Sequence, residues 1–113
     1  MKSALLLIIF TACAGSAVAA DEATVELGKL TYERWCAICH APGLPGAMAL
    51  EAKYNGSKPA LLDERTDLAP AVTKVVVRKG VSIMPFFRKT EVSDKELDAL
   101  AAYLARNNKS AAK

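Results

Sequence analysis

Cys36, Cys39 and His40 stand in the run Cys36-Ala37-Ile38-Cys39-His40, where side chains able to do redox or metal chemistry are set at a meaningful spacing. Thiols three positions apart on a helical turn point the same way, and C-x-x-C-H lets each add to one vinyl group of a porphyrin. The histidine that follows then lies over the iron and can supply its first axial ligand. Five residues also arise by chance. The rest of the chain must therefore provide what such a group needs: a second ligand, an apolar enclosure and a setting in which it is attached.

His40 is the only histidine, so ligation by two histidines of one chain is excluded. Beyond the leader described below, the methionines are Met48 and Met84. Met84 ends the run Gly80-Val81-Ser82-Ile83-Met84-Pro85, whose proline stiffens the backbone presenting the sulfur. Met48 is nearer the motif in a glycine-rich stretch and is the alternate ligand. A lone methionine is ordinarily a gap-filler in a core; beside a C-x-x-C-H, Met84 reads as the ligand instead. Thioether sulfur is soft and favours reduced iron, and a His/Met pair fills both axial places. Such an iron passes electrons and binds little else.

Residues 1–20 read as a secretory signal. Lys2 gives a positive start, Ala4 to Ala12 is apolar, and Ala17-Val18-Ala19 offers a small-residue cleavage site, so maturation is expected just before Ala20 or Asp21. The apolar run falls short of the roughly 20 residues that cross a bilayer. Phe10-Thr11-Ala12-Cys13 loosely resembles a lipidation box, which makes anchoring through Cys13 a minor alternative. The expected product is a periplasmic domain of residues 21–113 with no stable membrane insertion. Without Lys2 and Cys13 it keeps two cysteines and 14 basic against 12 acidic residues. That near balance points to no nucleic acid and no membrane surface as partner. A domain this small is marginal on hydrophobic burial alone, and an enclosed haem would complete its core.

The positioning elements read as helices. Thr24 can cap a helix from Val25 to Trp35, in which Gly28 costs roughly 1 kcal/mol and suggests a close backbone crossing. Ala41 to Pro59 carries three prolines, three glycines and Asn55, which is loop punctuation, with a short turn over Ala47 to Tyr54 and another over Pro59 to Glu64. Thr66 or Asp67 can cap a helix from Leu68 to Lys79, with Pro70 in its first turn and Gly80 as its stop. Ser93-Asp94-Lys95-Glu96 is a capping box ahead of Leu97, Leu100, Ala101 and Leu104. The fold class is all-α.

With these residues in view, the chain resembles a class I mono-haem cytochrome c, three to five short helices wrapped around one haem. The resemblance is carried by Gly28 and Tyr32, by Cys36 to His40, by Val77-Arg78-Lys79-Gly80 with Met84-Pro85, and by Leu100-Ala101-Ala102-Tyr103-Leu104. It implies one covalent haem c on Cys36 and Cys39, axial ligands His40 and Met84, and packing of Gly28 and Tyr32 against Leu100 and Tyr103. It also implies a proline carbonyl, from Pro42 or Pro45, accepting the other ring N–H of His40. The stretches Arg65 to Leu68 and Met84 to Glu91 look most like the small cytochrome subunits of flavocytochromes such as p-cresol methylhydroxylase and eugenol hydroxylase. The function implied is single-electron transfer from a dehydrogenase, in particular a flavoprotein, to a downstream cytochrome, copper protein or oxidase. A free-standing carrier donating to an oxidase is the alternative. Ala41, Pro42, Ile83, Pro85 and Phe86 or Phe87 are expected at the docking rim, with at least one phenylalanine lining the haem pocket. Arg65, Tyr54 and Arg88 are candidates for haem propionates but read first as solvated surface.

Three other uses of the motif are weaker. A thiol oxidoreductase needs a strand-helix alternation that is not visible here. Structural zinc lacks a second ligand pair and would need adjacent Cys39 and His40. A gas sensor requires that Met84 leave the iron. No pair of carboxylates or activated nucleophile marks a catalytic site, so the chain reads as an electron carrier by itself, not an enzyme.

Overall fold

The computed structural model describes residues 20–109; the leader assigned to residues 1–20, with Cys13, lies outside these save for Ala20. Five α-helices and one 3-10 turn make up the described residues, with no strand among them. The helical fold expected of a class I cytochrome c is therefore the observed one.

α1 spans Glu22–Trp35, beginning three residues before the expected start. Asp21 caps it in place of Thr24: its carboxylate accepts from the Thr24 backbone N–H and hydroxyl, both at 2.9 Å. A carboxylate there also meets the positive end of the helix dipole, which a threonine cannot match. A single turn, α2 (Ala37–His40), follows at once. α3 (Pro45–Tyr54) is a full ten-residue helix where a loop with only a short turn over Ala47 to Tyr54 was expected. Pro45 occupies its first position, where a missing N–H is harmless, and Asn55 closes it in the left-handed region at φ 45°.

A 3-10 turn over Leu62–Glu64 leads to α4 (Pro70–Lys79), which starts at its proline with extended Ala69 before it. Neither Thr66 nor Asp67 caps it; the Asp67 carboxylate is taken by Arg65 and Lys58. Gly80, at φ 71°, stops the helix as expected. α5 (Asp94–Ala105) carries the complete capping box, with the Glu96 N–H donating to Ser93 Oγ and the Ser93 N–H donating to Glu96 Oε2.

α1 and α5 form the central pair. A Cβ on Gly28 would stand 2.1 Å from the Ala99 carbonyl oxygen and 2.7 Å from the Tyr103 Cβ, so only glycine lets the helices come this close. Beside this contact the Tyr32 and Tyr103 rings meet at 5.8 Å. The packing implied by the resemblance is present, with the Ala99 backbone at its tightest point. α4 lies against α5, and Val77, Val92, Leu97, Leu100 and Leu104 complete the core with the two tyrosines. After α5, the Asn108 side-chain amide accepts from the Leu68 N–H and donates to the Leu68 carbonyl, which ties the end of the fold to the segment before α4. No helix among the described residues is long and apolar enough to cross a membrane.

Candidate functional site

α1 delivers Cys36 at its C-terminal end, where the Cys36 N–H still donates to the Tyr32 carbonyl at 2.8 Å. The α2 turn is then closed by the Cys39 and His40 N–H groups, both donating to the Cys36 carbonyl. This fixes the two cysteines and the histidine on one rigid corner. Both thiols are free, Cys36 half-buried and Cys39 exposed. Burial, with the neighbouring Cys39 as a smaller cause, pushes the Cys36 thiol up to about 12. A thiol-redox catalyst needs the reverse, a thiolate stabilised near neutral pH. Among the described residues no three His, Cys, Asp or Glu side chains converge as a metal-ligand set.

His40 is half-buried, and burial lowers its pKa, which keeps the imidazole in the neutral form that coordinates metals. The first turn of α3 presses on it. A Cβ at Gly46 would lie 2.8 Å from the Cys39 carbonyl oxygen and 3.0 Å from the imidazole Cε1. Nδ1 is buried without a hydrogen-bond partner. The proline carbonyl implied by the resemblance, from Pro42 or Pro45, is thus not bonded to it. For Pro45 the reason is local: it is the first residue of α3, and its carbonyl is directed into the helical ladder.

Met84 sits at the end of a tight loop. The Val81 N–H donates to the Met84 carbonyl at 3.1 Å and the Met84 N–H to the Val81 carbonyl at 2.9 Å, with Ser82 at φ 53° between them. A Cβ on Gly80 would come within 2.7 Å of the Met84 carbonyl oxygen, so glycine is needed for the loop to fold back this closely. Met84 packs on the same core cluster as Trp35, Cys36 and Ala37. Met48, 57% exposed on α3, does not.

Two aromatic residues join the cysteine corner to the methionine loop. The Trp35 and Phe87 rings meet edge to face at 6.0 Å, and the indole Nε1, though buried, has no partner. Phe87 is therefore an inner residue, whereas Phe86 is exposed. Ile38 and Ile83 are uncovered as well, at 74% and 80% exposure, as expected where an apolar group or a docking partner remains to be added.

Arg65 departs from the surface reading. It is only 4% exposed, and its Nε and Nη2 donate to the two Asp67 carboxylate oxygens at 2.6 and 2.9 Å, while its guanidinium lies 4.6 Å from the centre of the Tyr54 ring. Pairing with a carboxylate two residues away is what makes that burial tolerable. Tyr54 is half-buried and Arg88 exposed, the latter as expected.

A family model described as Cytochrome C oxidase, cbb3-type, subunit III matches residues 23–104. The chain belongs to this cytochrome c family. Neither a curated protein nor a solved structure matches it. The cofactor of the family, a covalently bound c-type haem, is accordingly the cofactor of this chain, and its work is haem-based electron transfer. The residues fit that group: two free thiols on one turn, a half-buried imidazole beside them, and a thioether packed on the same core as Cys36.

Proposed function

We propose that Cys36 and Cys39 attach the haem as thioethers and that His40 and Met84 hold its iron, making the protein an exported one-electron carrier. When bound, the haem would supply an iron couple that takes up and releases one electron. The protein's residues do the rest. α1 and α2 hold the two cysteines at fixed spacing, α3 backs the imidazole through Gly46, and the turned loop after Gly80 presents the sulfur. The observation that carries the reading is the packing of Met84 and Cys36 on one core cluster, with Met48 exposed elsewhere.

Protein made together with the haem-attachment machinery should be red and low-spin, with a sulfur-to-iron charge-transfer band at the far-red edge of the oxidised spectrum. Met84→Ala should abolish that band and Met48→Ala should leave it. Colourless, folded protein would refute the reading, and a band surviving Met84→Ala would move the ligand to Met48.

The electron enters and leaves by way of the exposed apolar residues Ile38, Ile83 and Phe86. Its donor is a periplasmic dehydrogenase with a flavin, to which this chain is the cytochrome subunit, a reading supported by the likeness of residues 65–68 and 84–91 to such subunits. A second reading, a free-standing carrier that delivers electrons to a terminal oxidase, fits the matched family equally well. Purification of the native protein separates the two: a stoichiometric flavoprotein in the complex supports the first, and a monomeric cytochrome oxidised directly by an oxidase supports the second.

A further inference from the structure

Phe87 lies three residues beyond Met84 and is held on three sides. Its N–H donates to the Val77 carbonyl at 2.8 Å, its own carbonyl accepts from Arg78 Nη1 at 3.1 Å, and its ring meets Trp35 edge to face. Val77 and Arg78 are consecutive residues of α4, so one stretch of helix grips both sides of one peptide. Arg78 is itself anchored, Nη2 donating to Asp94 at 2.9 Å in the first turn of α5. Its side chain is 23% exposed, well shielded compared with the other inter-helix cation, Lys74, at 45%.

The loop carrying the sulfur leaves α4 at Gly80 and is fastened back to α4 at Phe87. Opening it for Met84 to swing away means tearing Phe87 from Val77 and Arg78. We propose that Arg78 is a positioning residue for Met84: by bonding the Phe87 carbonyl it locks the loop shut and sets how firmly the sulfur keeps its place on the iron. The inference rests on Met84 being the ligand. A charge-assisted hydrogen bond in a shielded site is strong enough for this.

The test uses the haem-loaded, oxidised protein and follows loss of the far-red charge-transfer band as imidazole displaces the sulfur. Lys74→Ala is the comparison, because Lys74 pairs with Asp98 at 2.6 Å across the same two helices but touches nothing in the loop. Arg78→Ala should yield to imidazole at roughly tenfold lower concentration than wild type or Lys74→Ala. Arg78→Lys, with the charge but a single donor head, should fall between. Equal midpoints for Arg78→Ala and Lys74→Ala overturn the clamp alone. Should Arg78→Ala not fold, Arg78→Lys against Lys74→Ala decides in the same sense. A band missing from wild type, or kept by Met84→Ala, overturns the ligand assignment and the clamp with it.

Discussion

At Gly46, α3 comes as close to the cysteine corner as a backbone can: an added methyl group would meet the Cys39 carbonyl oxygen at 2.8 Å and the imidazole ring at 3.0 Å. Gly46→Ala should therefore displace His40 or push α3 away, and the yield of low-spin haem protein should drop, as read by the reduced visible spectrum per unit of protein. Asp67 offers a different check. Arg65 first, then Lys58, holds its carboxylate well below the ordinary value of 3.8. A depressed folded-state pKa gives stability that is present above that ordinary value and lost as pH falls below it. Asp67→Asn should flatten the acid end of the pH dependence of the urea midpoint, modestly, since the pair is partly in solvent. Type and spacing alone single out Cys36, Cys39, His40 and Met84 as candidates. The burial of Arg65 could not be read this way, because nothing local distinguishes an arginine paired to Asp67 from one in water. The unbonded His40 Nδ1 was equally hidden, since it depends on where α3 begins.

The helices were legible where end signals and apolar spacing agreed. The Ser93 capping box, Gly80 as a stop and the run from Leu97 to Leu104 all stand where sequence patterns put them. α3 was not, because Pro45 and Gly46 read as breakers when they are the first two residues of a helix, and its apolar residues follow no clear stripe. The start of α1 was obscured because Asp21 adjoins the expected cleavage site. The α1–α5 crossing gives the sharpest prediction at this scale. At Gly28 the obstacle is the backbone of Ala99, which cannot rotate aside as a side chain would. Gly28→Ala should cost about 1–3 kcal/mol or more in guanidinium unfolding, against the small gain that alanine brings to an open helix.

Taken whole, the described residues share a cluster of buried side chains, built by α1, α4, α5 and Val92 just before α5, while the cysteine corner and the Met84 loop rest on its edge. Ile38, Ile83 and Phe86 stay uncovered. Such a chain depends on its haem for part of its interior. The double variant Cys36→Ser, Cys39→Ser should show weaker helical circular dichroism and a lower melting temperature than the haem-loaded protein. Equal stability would mean that the protein core suffices. Trp35 adds an optical consequence. It is the only indole in the chain, half-buried one residue before Cys36 with its edge-to-face partner Phe87 beside it. With a porphyrin fastened to its neighbour, excitation of that ring should drain away before light is emitted, so an intact carrier stays dark and a glow marks a molecule that has lost its pigment or come apart.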